Sequence, residues 1–231
     1  MPRHVALFAI GLLLLAVPAF WPLYLSKGWA AVDRYTHAHA ALGTLWMFFL
    51  VVQPALVLRH HRRAHRLAGR AALLVALGFV ASGVLLTHYR VSRMTEAAFA
   101  KEGIYIYLPL SIAALFATAC VLGLRWRTST PVHARFMLST ALLLVDPLVA
   151  RLMFFYLPPL PSDHFYQGIT FTVMTAAMAW LVASLPAHTP GRVCYRNYCL
   201  GAAAAFALFF AVPTTAPWRA FVSGFRALPL T

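Results

Sequence analysis

The stretch that decides the fold is residues 69–88, GRAALLVALGFVASGVLLTH. Arg70 is its only charged side chain. A helix of about 20 mostly apolar residues is long enough to cross the hydrocarbon core of a bilayer. This stretch therefore predicts a transmembrane helix, and similar stretches recur on both sides of it.

The composition of the whole chain agrees with that interpretation. Of its 231 residues, 62% are hydrophobic and 10% are charged, whereas a soluble domain carries about 25% charged residues. We expect an all-α, polytopic transmembrane helical bundle of about seven spans, forming one integral membrane domain over residues 1–231 with its core at 37–157. The expected spans are 5–25, 39–58, 69–88, 104–124, 136–157, 165–186 and 195–213.

The two ends of the chain need separate interpretation. The first apolar run resembles a signal peptide, but it continues through Trp21 to Leu25, which favours an uncleaved anchor. The seventh span is the weakest because its purely apolar stretch, 199–212, is short. Residues 217–231 place Trp218 and Phe225 at helical spacing, which predicts a short helix in the outer membrane interface.

The charge of the loops predicts the orientation. One set of connections carries eleven basic residues and no acid, including the run from Arg59 to Arg70, whereas the opposite set carries seven basic residues and four acids. The positive-inside bias places the first set, and the amino terminus, in the cytoplasm of a bacterial inner membrane. The net charge of +14 forms no continuous stripe that would fit nucleic acid, so we expect the Arg59–Arg70 loop to contact anionic lipid headgroups.

The ten histidines fall into two groups, one at each end of the expected spans. The outer group is His37, His39, His88 and His164. The inner group is His4, His60, His61, His65, His133 and His188. Neutral imidazoles on facing helices can take both axial positions of a haem iron, so this arrangement is typical of b-type haems stacked across a membrane.

Two ligand pairs follow from this arrangement, and they predict a haem b- or quinone-linked electron-transfer component. The pairs are His39 with His88 outside and His65 with His133 inside. The alternative is that these histidines only occupy the headgroup zone, which tolerates their amphipathic rings. Small residues that would leave room for a flat macrocycle are Gly43, Gly69, Gly78, Ser82 and Gly83.

The fifth span contains an ionisable pair, Asp146 and Arg151, with Pro147 beside the acid. Such groups are unfavourable at bilayer depth and usually serve a function there, and Pro147 interrupts the helical hydrogen bonds next to Asp146. The pair favours a buried polar site or pathway over a purely structural contact. The alternative function is therefore a non-catalytic membrane subunit, transporter or assembly factor.

A third hypothesis is a metal-dependent membrane hydrolase. His39, His88, His164 and Asp146 have the chemistry of zinc ligands and lie toward the outer end of the bundle. The chain contains no Gly-x-Ser-x-Gly, His-Glu-x-x-His, P-loop or dinucleotide-binding motif. The last two spans also contain no paired His-x-x-x-His of the kind that membrane hydrolases use, so hydrolysis ranks behind the other two functions.

A resemblance covers residues 37–157. The matching motifs are His39 with Gly43, Gln53-Pro54, His65-Arg66-x-x-Gly69-Arg70, His133-x-Arg135-Phe136-Met137 and Arg151. On these residues the segment resembles an uncharacterised family of bacterial multi-span membrane proteins, a domain of unknown function in which tryptophan is more usual at the Phe136 position. The resemblance implies a multi-span bundle and no established reaction. In architecture, the two tiers of histidine are similar to transmembrane dihaem cytochromes b.

Overall fold

The computed structural model describes residues 2–159 and 163–231, without the side chains of residues 2–4 and 163, so that His4 lies outside the described side chains. The described part contains helices and no strand, which confirms the all-α class. The α-helices, numbered in chain order, are α1 Pro2–Phe20, α2 Arg34–Leu58, α3 Arg62–Ser92, α4 Glu96–Glu102, α5 Tyr107–Arg125, α6 Thr130–Leu142, α7 Val145–Tyr156, α8 Asp163–Ala183, α9 Arg192–Leu208 and α10 Ala216–Arg226.

Six segments of the described chain are long and apolar enough to cross a membrane, so the chain is a multi-span membrane protein. They are Val5–Leu25, Arg34–Leu58, Arg62–Ser92, Glu96–Arg125, Thr130–Tyr156 and His164–Ala183. The expected seventh span is not among them, because its helix α9 has only 17 residues. Helix α9 nevertheless runs antiparallel along α5. Its start lies against Trp126, and its Ala205 carbonyl accepts a hydrogen bond of 3.0 Å from the Tyr107 hydroxyl.

Helices α2 and α3 form a close hairpin because glycines on one helix face bulky side chains on the other. A Cβ at Gly43 would lie 2.9 Å from the Phe79 ring. A Cβ at Gly78 would lie 3.3 Å from Leu42. The turn between the helices holds His60 at φ 60°, in the left-handed region. The small residues therefore serve to bring these two helices together.

The fifth segment is broken into two helices. Helix α6 ends at Leu142 and α7 begins at Val145, so the break lies at Leu143 and Leu144. The nitrogen of Pro147 carries no hydrogen to pair with a carbonyl four residues earlier, which explains the interruption at this position. Asp146 consequently lies in the first turn of α7 rather than in the middle of a continuous helix.

The helix expected in residues 217–231 forms as α10 and packs on the end of the bundle where α3 ends and α5 begins. Val222 and Phe225 are buried in a cluster with Val91 and Ile106. The Trp218 indole donates to the Ile104 carbonyl at 2.7 Å. Phe221 remains 48% exposed, so part of the apolar face of α10 is not covered by the bundle.

Candidate functional site

Asp146 lies at the contact between α7 and α8, and its carboxylate has a single hydrogen-bond partner among the described residues. Its side chain is 3% exposed, and the partner, the Thr170 hydroxyl of α8, is fully buried. The Thr170 Oγ1 lies 2.5 Å from Asp146 Oδ1 and 3.1 Å from the Gln167 carbonyl oxygen. A hydroxyl has only one hydrogen to donate, so the two acceptors compete for it.

Arg151 lies one and a half turns after Asp146 and does not form an ion pair with it. One guanidinium nitrogen donates to the Pro147 carbonyl at 2.6 Å, and the group lies over the Phe20 ring at 5.0 Å. Its Nε is buried without a hydrogen-bond partner in the described chain. Within the described chain the only ion pair is Arg226 with Glu96.

His39 of α2 is hydrogen-bonded to α3. Its Nδ1 lies 3.0 Å from the Ser82 hydroxyl, which itself donates to the Phe79 carbonyl at 2.9 Å. Because that hydroxyl hydrogen is already used, the Nδ1 of His39 is the donor, and its Nε2 is left as an acceptor.

His88 faces a different part of the molecule. Its ring is 1% exposed and meets Phe225 edge-on at 5.3 Å, with Nδ1 at 2.8 Å from the Thr231 hydroxyl. His88 is six residues beyond Ser82, which at 3.6 residues per turn places it on the α10 side of α3, away from α2. The structure therefore does not bring His39 and His88 together.

Of the expected inner pair, His65 lies against Gln53, and His133 is bonded to α5. In the amide orientation that satisfies both partners, Gln53 donates to His65 Nδ1 and accepts from the Gly69 N–H at 2.8 Å. His133 donates through Nδ1 to the Gly123 carbonyl at 2.8 Å. The Gln53 contacts join two of the motifs that carry the resemblance, Gln53-Pro54 and His65-Arg66-x-x-Gly69-Arg70.

A haem held by two axial histidines needs a free nitrogen on each ring and space for the macrocycle. His133 keeps Nε2 available as a ligand, but His65 uses its unprotonated nitrogen to accept from Gln53. The space expected beside the glycines is taken by Phe79, Leu42 and His39, since a Cβ at Gly83 would lie 3.3 Å from the His39 ring. The residues in this arrangement do not fit a haem held by both expected pairs.

The expected metal set is not assembled either. His164 is surrounded by the rings of Tyr105, Phe209 and Phe210, with centroids 5.9 to 6.1 Å away. Across the described ranges, no three His, Cys, Asp or Glu side chains are grouped so that they could hold a metal ion. His39, His88, His164 and Asp146 are therefore four separate positions.

Two important residues were not singled out for a role from the sequence. Thr170 gives no motif signal, although a hydroxyl in an apolar span can only pair within the bundle. Arg135, known only as part of the resemblance, donates to carbonyls at the end of α8, with Nε to Leu181 at 2.9 Å and Nη2 to Ser184 at 3.2 Å. Cations favour helix carboxyl ends, so the position of Arg135 near the start of its span, level with the end of the following span, was the available signal.

No family model, no curated protein and no solved structure matches this chain. The resemblance to the uncharacterised bacterial family stays a prediction. The function is therefore argued from the geometry of the polar site.

Proposed function

We propose that this protein is a non-catalytic membrane transport component in which Asp146 takes up and releases a proton. The observation that carries the proposal is the environment of that carboxyl. It is 3% exposed, has no ion-pair partner in the described chain, and is held by one hydroxyl with two possible acceptors. Ionisable side chains at bilayer depth commonly form proton relays in pumps and transporters.

The Thr170 hydroxyl allows Asp146 to exist in two protonation states. When Asp146 is ionised, Thr170 donates its hydrogen to the carboxylate. When Asp146 is protonated, its own O–H donates to Thr170 Oγ1, and the hydroxyl hydrogen turns to the Gln167 carbonyl at 3.1 Å. In both states, every O–H hydrogen of Asp146 and Thr170 is donated to an acceptor. The exchange of one proton then needs only the rotation of one hydroxyl.

Arg151 is placed so that it does not hold Asp146 in one charge state. A direct ion pair would hold Asp146 ionised, but the guanidinium of Arg151 donates instead to the Pro147 carbonyl.

The test is proton flux into liposomes that contain the purified protein and a trapped pH dye. We expect an imposed pH gradient to collapse faster with the wild type than in empty liposomes. Asp146→Asn removes the titratable group and keeps the shape, so it should lower the protein-dependent rate at least tenfold. Asp33→Asn is the matched control, because Asp33 caps α2 outside the buried site.

Two results would overturn the proposal. One is a wild-type rate equal to that of empty liposomes. The other is an Asp146→Asn rate equal to the wild type. Size-exclusion profiles of both variants establish that a lower rate does not reflect loss of the folded protein.

The proposal includes a finer membrane topology of seven spans in a bacterial inner membrane, with the amino terminus in the cytoplasm. The path of α9 along α5 and the acid-free inner loops support it. The Arg59–Arg70 loop, whose arginines are all exposed, would then contact anionic headgroups. A reporter fused after Thr231 should be accessible only from outside, and cytosolic accessibility would contradict this orientation.

Haem- or quinone-linked electron transfer is the second candidate. The state of His133 favours it, since the hydrogen bond from its Nδ1 to the Gly123 carbonyl leaves Nε2 unprotonated and able to ligate iron. Gln53 would have to release His65 for both rings to face one iron. A reduced-minus-oxidised spectrum of the purified protein tests it, and the absence of Soret and α bands would end the haem hypothesis.

A further inference from the structure

An open cavity of about 330 Å³ lies at the outer end of the bundle, separate from Asp146. It is bounded by the loop that follows Leu25 and by the ends of α2 and α3. Its polar lining consists of Lys27, Asp33, Thr36, Tyr89, Arg90 and Arg93. Three cationic side chains thus surround one acid.

The single acid is already occupied by another contact. Asp33 caps α2, with Oδ1 accepting from the Thr36 N–H and Oδ2 accepting from the Thr36 hydroxyl, both at 2.8 Å. Partial burial raises the pKa of Asp33, but these hydrogen bonds and the charge of Arg90 outweigh it and lower that pKa below its usual value. Asp33 is therefore an ionised cap and leaves the cations without a full countercharge.

The three cations have few partners within the protein. Arg90 makes a long hydrogen bond of 3.3 Å to the Thr36 hydroxyl, and Arg93 lies over the Tyr89 ring at 4.3 Å. In the described part of the chain none of the three forms an ion pair. Their positive charges therefore act on the cavity itself.

The wall that carries Lys27 is fixed in place by His37. This ring is hydrogen-bonded to the Tyr24 hydroxyl at 2.9 Å and to the Trp29 carbonyl at 3.0 Å, and it stacks on the Trp29 indole. Hydrogen bonds therefore attach this loop to α2, whereas Arg90 lies in α3 and Arg93 directly follows it. Lys27 and the two arginines thus line the cavity from different elements.

We propose that this cavity binds a phosphate-type oxyanion, either free phosphate or the phosphate of a lipid headgroup. Guanidinium groups present several donors in a planar fork that matches phosphate oxygens. The cavity lies at the outer end of the spans, which is the level of the lipid headgroups. Asp33, held in its cap by Thr36, can offset at most one of the three cations.

The first arm of the test uses inorganic phosphate, titrated calorimetrically into delipidated protein at low ionic strength. We expect saturable binding. Arg90→Gln and Arg93→Gln should each raise Kd roughly tenfold, as expected when a charged hydrogen bond is lost. Arg34→Gln is the matched control, because this exposed arginine lies at the same end but bonds to the Tyr35 hydroxyl outside the cavity.

The second arm identifies the source of the phosphate. Native mass spectrometry of protein purified in mild detergent counts the phospholipids that remain bound. One phospholipid retained by the wild type and by Arg34→Gln, but lost from the Arg90→Gln, Arg93→Gln double variant, assigns the site to a lipid. Phosphate binding without a retained lipid assigns it to the free ion.

Either assignment supports the proposal. It is overturned if neither phosphate nor lipid binds, or if Arg34→Gln weakens binding as much as the two cavity variants do. The result is independent of proton flux through Asp146, because the Arg90 and Arg93 variants leave that carboxyl and Thr170 unchanged.

Discussion

Two buried ionisable side chains of the broken fifth segment, Arg135 on α6 and Asp146 on α7, have opposite environments. Both are nearly inaccessible, at 4% and 3% exposed. Arg135 donates to the Leu181, Pro131 and Ser184 carbonyls and to the Ser184 hydroxyl. In the part of the chain that the structure describes, the Asp146 carboxylate bonds to the Thr170 hydroxyl alone.

This difference separates a structural charge from a chemically active one. A buried charge whose hydrogen bonds are all made fixes its surroundings, and Arg135 in this way closes the carboxyl end of α8. A buried carboxyl whose partner is one hydroxyl that can rotate can change its protonation state with little change in structure. The comparison therefore predicts that Arg135 governs stability and that Asp146 governs function.

The largest effect should follow from Arg135→Gln. The shorter neutral side chain leaves the carbonyls at the end of α8 without their donors, and we expect a loss of about 2–4 kcal/mol in the free energy of unfolding. Unfolding in detergent measures it. Arg127→Gln is the control, since the exposed Arg127 has only a 3.4 Å bond to Leu124, and equal losses in both variants would contradict the structural role.

Thr170→Val should affect function more than stability. It removes the donor to Asp146 and the hydroxyl that the protonated acid needs, so proton flux in liposomes should fall close to the level of Asp146→Asn. The loss of unfolding free energy should be about 1–2 kcal/mol. Thr172→Val on the same helix is exposed and bonds only to the Gly168 carbonyl, so it should keep normal flux.

Gly43→Ala tests the packing of α2 against α3 without changing a charge. The new Cβ would lie 2.9 Å from the Phe79 ring, on which His39 stacks at 4.6 Å. Overpacking of this kind destabilises by about 1–3 kcal/mol. Gly201→Ala on α9 has no atom within 4 Å and should be neutral or stabilising. Thermal unfolding of the two variants in detergent should therefore differ in sign, and equal behaviour would contradict the close packing of α2 and α3.

The smallest effect belongs to the Asp33 cap. Asp33→Ala should lower the free energy of unfolding by about 1 kcal/mol, whereas Asp33→Asn, which can still cap, should not. Because the pKa of Asp33 is lowered in the folded protein, its contribution is present above the unfolded pKa and is lost as pH falls through the folded pKa. Unfolding curves of both variants above and below that range measure it.

The sequence predicted the all-α class because the length of each apolar run is read directly from the order of its residues. It could not predict which way each helix is rotated. His39 and His88 both lie at outer helix ends, but the rotation of α3 turns His88 toward Phe225 and Thr231. The cluster of Gln53, His65 and Gly69 was visible only as a motif. Thr170 gave no signal, since its partner lies 24 residues away on another helix.

The most direct test of the central claim is infrared difference spectroscopy between high and low pH. The chain has five acids, so few carboxyl bands compete. We expect the wild type to gain the C=O stretch of a protonated carboxyl as pH falls. Thr170→Val should shift this band, and Asp146→Asn should abolish it. An Asp146→Asn spectrum that overlays the wild type would show that Asp146 does not exchange a proton.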